Sequence, residues 1–544
     1  MVISPALLFL SKKWRYILVS FLILVMAYLV VYNLAGIELG RLTLFPAEGT
    51  VIPFDFWEHE YSRILVLGFT LIGFLGILYG LPEAKPNEQV ASFWAISSAI
   101  GIAFANDFIT LFIFWELLTI TTASLIFFNG KQVFHMAYRF LFFHLIGGLM
   151  LFVGICQQFA ATGSISLTTP EAGLAFFILG IGFKAAFIPF HIWVAWGYPN
   201  ASLFSSAIMA ALTTKIGVYA LARILPSHEL FVYMGGIMAL VGVSCALMQK
   251  NMRRLLTYHV VSQVGYMVAG VGLGATLAVD GGLFHLFNNM LYKSLLFMTA
   301  GAVLFSTGTE NLHDLTHHEE NNDDHSEPPK PVWKAMPLVT LGAIIGALAI
   351  AGVPLFNGYV SKYMLKEAMY GMGPVEWMLL IASIGTAASF CKFVYFGFLK
   401  ARAISFKPPG FTMQASILLF AFFCILLGVR PDFIWEILPY TSSLDVYSMS
   451  GIWSAMQLFL SGVLLFVILA NPLQKGLPIP PWVSVEYLVI NPFEREGSKA
   501  IRTLRPYFNR LGEGIKNITT DQLVLGVVLI ILMIIFFYYG RFGI

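Results

Sequence analysis

The chain has 544 residues, 58% of them hydrophobic and 11% charged, where a soluble domain carries roughly a quarter charged residues. That composition excludes a soluble globular fold. Many apolar stretches reach the roughly 20 residues a helix needs to cross a bilayer, and the absence of alternating ten-residue segments excludes an outer-membrane barrel. A formal net charge of +3 from scattered basic residues leaves no footprint for nucleic acid.

In chain order, hydropathy predicts crossings at about 14–34, 62–81, 89–106, 107–128, 132–160, 171–190, 201–225, 229–248, 254–275, 279–305, 337–369, 374–400, 411–429, 450–471 and 521–540. The expected fold class is an all-α polytopic membrane protein of about 14–15 transmembrane helices. Lys12, Lys13 and Arg15 precede a long apolar run with no small-residue cleavage site, which reads as a retained first helix rather than a signal peptide. Basic residues crowd alternate loops, while only Arg41, Arg63, Arg223, Arg430 and Arg541 lie on the other side. That bias places the N-terminus in the cytoplasm. Cys156, Cys245, Cys391 and Cys424 lack CxxC spacing and read as core residues, with neither a disulfide nor a metal expected.

Within the polar loop 306–336, segment 313–331 reads as mobile. Its His313, His317, His318 and His325 match no closed metal-site spacing, so a solvated charge run is the expectation. Segment 484–517 mixes apolar and basic residues and reads either as a helix along the cytoplasmic interface or as a basic linker. The expected organisation is 1–88 N-terminal helices, 89–250 a first repeat, 251–405 a second repeat carrying the loop 306–336, 406–471 peripheral helices, and 472–544 a linker or lateral helix followed by a final crossing.

Seven cations fall at membrane depth: Arg139, Lys184, Lys215, Lys293, Lys362, Lys366 and Lys392. An isolated lysine at the bilayer centre costs roughly 2.5–3.5 kcal/mol even on the lenient insertion scale, so each needs a partner, water or a function. Arg139 and Lys366 can snorkel toward an interface; the other five have no such escape. Lys184 and Lys362 are 178 residues apart, and Lys215 and Lys392 are 177 apart. Each step spans five helices, an odd number, as an inverted repeat requires. Pro189 follows Lys184, while Gly352, Pro354 and Gly358 precede Lys362. Proline removes a backbone donor, so both helices are expected to break and leave carbonyls for protein or water to satisfy.

Glu116 is the clearest buried acid, ten residues into its helix. Facing a lysine, it would favour both charged forms, and moving away would leave the lysine charge costly; a movable carboxylate is a proton switch. A polar line continues through Lys215, His259, His285 and Lys293. His144, His191 and His259 can each also be read as hydrogen-bonded core histidines.

The stretches "NDFITLFIFWELL" (106–118), "GFKAAFIPFHIW" (182–193), "TTKIGVYALAR" (213–223), "NMRRLLTYHVVSQVGYM" (251–267), "HLFNNMLYKSLLF" (285–297) and "FNGYVSKYMLKEAM" (356–369) resemble the antiporter-like subunits shared by Mrp-type cation/proton antiporters, respiratory complex I and membrane-bound hydrogenases. The resemblance implies a proton-translocating module of two inverted five-helix repeats, each with a broken helix. By resemblance, Glu116 is the switching glutamate, Lys184 the broken-helix lysine, Lys215 the bridging lysine, His285 and Lys293 the central relay, and Lys362 the terminal lysine. Lys392 rests on the repeat spacing alone, and His259 on the polar line.

The stretches "FWELL" and "VSVEYLVINPFERE" look most like the D-type Mrp subunit. Asn289 stands where the family often has a second relay histidine, which implies a link through water. Relative to the family pattern, the N-terminal block is shorter by about one helix and the C-terminal extension longer.

The function so implied is proton translocation within a multisubunit Mrp-type Na+(cation)/H+ antiporter. The alternative is a proton-pumping subunit of a complex I-like NADH dehydrogenase or membrane-bound hydrogenase, where the chain would count as part of a translocase. A small-solute carrier or a scaffold that moves no ions is the remaining reading. No nucleotide loop, haem motif or cluster motif is present, so no cofactor and no redox site are expected. The expected partners are other membrane subunits, the lipid bilayer, protons and Na+, in a bacterial or archaeal cell membrane.

Overall fold

The computed structural model describes residues 83–476 except 317–329, 404–405 and 441–443, together with 59–81, 54–57, 42–44 and scattered positions between 11 and 28. Most of the expected helix 14–34, all of 521–540 and the segment 484–517 lie outside the described residues.

The helices are α1 (Ser62–Gly80), α2 (Pro86–Phe104), α3 (Phe108–Phe127), α4 (Phe134–Thr162), α5 (Leu174–Lys184), α6 (Ile192–Gly197), α7 (Leu203–Ile224), α8 (Glu229–Met248), α9 (Met252–Leu273), α10 (Thr276–Thr307), α11 (Pro337–Ala351), α12 (Asn357–Ala368), α13 (Pro374–Val394), α14 (Phe411–Val429) and α15 (Met449–Lys475). Every crossing expected between residues 62 and 471 is present, with α5/α6 and α11/α12 as the two broken ones.

Side chains at the helix starts satisfy otherwise orphaned backbone donors. Asp107 accepts from Thr110 N at 2.7 Å ahead of α3, and Asn251 accepts from Arg254 N at 3.0 Å ahead of α9. Among the described residues, nine helices are individually long and apolar enough to cross a membrane. α9 is not one of them: it carries Arg253, Thr257, His259, Ser262 and Gln263, all buried. A helix that polar is stable at membrane depth only when other helices enclose it.

Enclosure is achieved by close backbone approach. A Cβ placed on Gly235 or Gly242 of α8 would run into the backbone of α9 at Gly265 and Ser262, the small-residue packing that substitutes for a hydrophobic driving force in lipid. α10 is the central helix, buried along nearly its whole length. α15 is the opposite case: Leu460, Leu464, Val467 and Ile468 are exposed, and Gly462 seats the helix against Ala387 of α13.

Helix lengths recur along the chain. α2, α3, α4, α5 with α6, and α7 contain 19, 20, 29, 11 with 6, and 22 residues. α8, α9, α10, α11 with α12, and α13 contain 20, 22, 32, 15 with 12, and 21. Five crossings separate each helix from its counterpart, so the second set runs opposite to the first.

Candidate functional site

The break between α5 and α6 positions the first lysine. Ala186 holds φ at +60°, a left-handed conformation that costs a residue with a Cβ about 1–2 kcal/mol. The turn keeps its freed carbonyls paired: Trp193 Nε1 donates to Phe183 O at 2.8 Å, and Phe187 N donates to Gly182 O at 2.9 Å. Lys184, the last residue of α5, is thereby held at the negative end of a half-helix dipole, which favours a cation. Its Nζ donates to Trp115 O at 3.0 Å and to Thr119 Oγ1 at 2.9 Å, and lies 4.5 Å from the Trp115 ring centroid.

Glu116 is the residue after Trp115, and Lys184 is its electrostatic partner. The two form no ion pair here: both carboxylate oxygens are buried without a hydrogen bond, facing Gly148 of α4. The lysine is thus seated on backbone and hydroxyl oxygens while the acid stands free. A methyl group at Gly148 would occupy the space of the Glu116 carboxylate. Gly148→Ala is therefore expected to swing the carboxylate aside and to lower transport by about tenfold with assembly intact, as measured by proton flux per complex on native gels; unchanged flux would mean that the position of Glu116 does not matter.

α7 carries Lys215, whose Nζ donates to Ala210 O at 2.7 Å and reaches Thr214 Oγ1 at 3.4 Å. Gly217, two residues on, lets α7 rest directly on the Ala185 backbone at the first break. Lys293 of α10 donates to Leu256 O of α9 at 2.9 Å. His285 Nδ1 lies 3.0 Å from Ser361 Oγ, and its Nε2 lies 3.3 Å from Tyr292 Oη. Tyr292 in turn accepts from Asn289 Nδ2 at 3.0 Å and donates to Gln263 Oε1 at 3.4 Å. Asn289 therefore enters the network around His285 through a tyrosine. Sequence reading missed Thr119, Gln263, Tyr292 and Ser361; the available signal was a polar residue one or two turns from each charged one.

At the second break Gly352 holds φ at +79° and Leu355 at +74°. Both interruptions thus contain a residue with a Cβ in the left-handed region, the local strain that clusters at working sites. Lys362 of α12 reaches back to Ile350 O of α11 at 2.7 Å and lies 5.2 Å from the Tyr266 ring centroid. It lines an open cleft together with Lys366, Glu376, Ser383 and Ser454.

Lys392 behaves differently. Its Nζ donates to Leu247 O at 2.9 Å and to Gln249 O, closing the C-terminal end of α8. Removing that donor leaves two carbonyls unpaired, at about 1–3 kcal/mol each. Lys392→Met is expected to lower the melting temperature of the purified complex while leaving transport per assembled complex within about twofold; loss of transport without loss of stability would return Lys392 to the relay. Lys366 bonds Ser454, and Arg139 lies 5.6 Å from the Trp196 ring centroid.

The lysine spacing does not reflect equivalent positions. Lys184 precedes its break, whereas Lys362 follows its own. Lys215 is the thirteenth residue of α7 and Lys392 the nineteenth of α13. Of the loop histidines, only His313 is described, its Nδ1 lying 3.8 Å from Asp314 Oδ1; His317, His318 and His325 lie outside the described residues. Among the described residues no group of three His, Cys, Asp or Glu could hold a metal, and the four cysteines are free.

Comparison with known proteins identifies the family. A family model described as "NADH:quinone oxidoreductase/Mrp antiporter, TM" matches residues 105–389, which contain every buried charge described above except Lys392. The D-type Na(+)/H(+) antiporter subunit of Bacillus subtilis is 22% identical over 397 residues, covering 68% of this chain and 78% of that one. The N-type NADH-quinone oxidoreductase subunit of Desulforudis audaxviator is 29% identical over 387 residues, covering 64% and 74%. Among solved structures, the Mrp complex from Dietzia sp. DQ12-45-1b contains a chain that superimposes with a TM-score of 0.70 at 20% identity, covering 86% of this chain and 97% of that one. The chain is an integral membrane protein and belongs to the family of antiporter-like membrane subunits shared by Mrp antiporters and NADH:quinone oxidoreductases.

Proposed function

We propose that this chain is the proton-translocating subunit of a multisubunit Mrp-type cation/proton antiporter, with protons passing along Lys184, Lys215, His285, Lys293 and Lys362, and Glu116 setting the charge of Lys184. One observation carries the reading. Each of the four lysines of this relay, Lys184, Lys215, Lys293 and the half-buried Lys362, donates to a backbone carbonyl, and within the described residues none is hydrogen-bonded to a carboxylate. A carbonyl accepts from a charged ammonium and from a neutral amine alike, so a lysine seated this way changes protonation without losing its bond. An ion pair would instead fix the charge. By contrast Arg253, near the membrane surface, is held by Glu310 in a two-pronged pair.

The named relatives support assembly with other membrane subunits, and the Mrp reading is favoured by the antiporter relative among them. Redox-driven pumping in a complex I-like assembly is the second reading, favoured by the oxidoreductase relative. The recurrence of helix lengths supports a boundary between the repeats at residues 225–228, between α7 and α8, which leaves five crossings in each.

The test is cation-driven proton movement in everted vesicles containing the whole complex. Addition of Na+ is expected to dissipate an imposed pH gradient in the wild type, and Glu116→Ala is expected to abolish the response. A response only to NADH or another reductant would favour the redox-driven assembly, and no response to either would remove the transport reading.

A further inference from the structure

His259 is fully buried, yet neither of its ring nitrogens is hydrogen-bonded within the described residues. Its ring lies against Phe390, with centroids 4.7 Å apart. A residue kept only for packing there would do better as phenylalanine or leucine, because a buried polar nitrogen without a partner costs free energy.

The repeat register gives the ring a counterpart. α3 and α9 are equivalent helices; Glu116 is the ninth residue of α3, and His259 is the eighth of α9. Counted from the capping residues Asp107 and Asn251, the two positions differ by one residue and lie at the same level of their helices. A lysine is seated beside each of the two positions, although Lys184 of α5 and Lys293 of α10 are not on counterpart helices. Lys184 reaches α3 and docks on the carbonyl of Trp115, directly before Glu116. Lys293 reaches α9 and docks on the carbonyl of Leu256, less than one turn before His259. Each seat has an aromatic roof: the Trp115 ring for Lys184 at 4.5 Å, and the Phe390 ring for Lys293 at 5.8 Å.

We propose that His259 is the switching residue of the second repeat, the counterpart of Glu116, and that its imidazole carries the proton from Lys293 toward Lys362. This rests on the proton-translocating function proposed above. The charged neighbours of the ring are Lys293 and Lys362. Between two lysines a carboxylate would hold one of them charged, whereas a neutral imidazole accepts a proton only when a lysine gives one up. In the step, the lone pair of one ring nitrogen takes a proton from the Lys293 ammonium, leaving an amine and an imidazolium. The other nitrogen then releases its own proton toward the Lys362 amine. The ring ends neutral in the opposite tautomer, and rotation about its side-chain bonds or a return transfer resets it.

The test uses the whole complex in proteoliposomes with a trapped pH dye, comparing wild type, His259→Gln and Glu116→Gln during a Na+ pulse. Glutamine keeps a donor and an acceptor but cannot be protonated at neutral pH. Proton flux in His259→Gln is expected to fall about a hundredfold with assembly intact. Infrared difference spectra with ring-labelled histidine are expected to show an imidazole protonation band in the wild type that is lost in His259→Gln. Flux retained within about twofold, a wild-type complex that transports without an imidazole band, or a band unchanged in the variant would each overturn the proposal. If glutamine prevents assembly, the smaller His259→Asn takes its place with the same readouts. A wild type that moves no protons with Na+ would instead count against the antiporter function, whereas a coupled wild type with a coupled His259→Gln counts only against this switch.

Discussion

Lys184→Ala is expected to lower cation-driven proton flux by at least about a hundredfold, the scale of removing a positioned proton carrier, while the complex still assembles. Assembly should survive because the amine is not what holds the break together. Trp193 and the local backbone pair the carbonyls of Gly182 and Phe183, and Gly217 packs α7 against Ala185 whatever the side chain at position 184. Alanine removes one donor from the Trp115 carbonyl and Thr119 hydroxyl, which stay bonded to each other at 3.1 Å, a modest loss beside the cost of burying an ammonium. Transport has no such substitute, since Glu116 would then lose its electrostatic partner. The comparison is flux per assembled complex, normalised on native gels; flux above about a tenth of wild type would show that protons bypass Lys184.

Glu310→Ala is expected to act on stability instead. Arg253 makes two bonds to the Glu310 carboxylate, at 2.6 and 3.2 Å, and its Nη1 also donates to Ala201 O and Ser206 Oγ. Asn251 Nδ2 adds a third bond to the same carboxylate at 2.9 Å. One acid thus ties the start of α9 to the chain after α10, and through Arg253 to the start of α7. Removing one member of a largely buried pair leaves an uncompensated charge, at about 3–5 kcal/mol. The expected readout is a clear fall in the melting temperature of the detergent-purified complex, with residual transport in the fraction that remains folded. An unchanged melting temperature would show the pair to be solvated in the assembly.

Much of this architecture was legible in the sequence because single residues carry unambiguous backbone consequences. Pro189 announces the first break, and Gly352 with Pro354 the second; Glu116 and the five lysines stand out because hydrocarbon tolerates no idle charge. The lysine spacing misled for a physical reason. The shift between counterpart helices is 143 residues from α2 to α8, 142 from α4 to α10, 163 from α5 to α11 and 171 from α7 to α13. The polar segment after α10 lengthens the second repeat, so no single offset can align the two. The bonds from His285 to Ser361 and from Trp193 to Phe183 join residues 76 and 10 positions apart. No periodicity within one helix encodes them. The pairing of Glu116 with His259 was hidden as well, because it shows only once the helices are matched by length and order.

Arginine replacements at Lys184, Lys215, Lys293 and Lys362 separate a titrating lysine from a fixed charge. Arginine keeps the cation and its donors but does not deprotonate in a protein. The decisive measurement is cation-driven proton flux in proteoliposomes of the whole complex for each Lys→Arg variant beside its Lys→Ala partner. If the lysines carry protons, each arginine variant should assemble and be as inactive as the alanine. Near-normal flux in the arginine variants would mean that these positions need only a permanent positive charge, and the proton chain described here would be wrong.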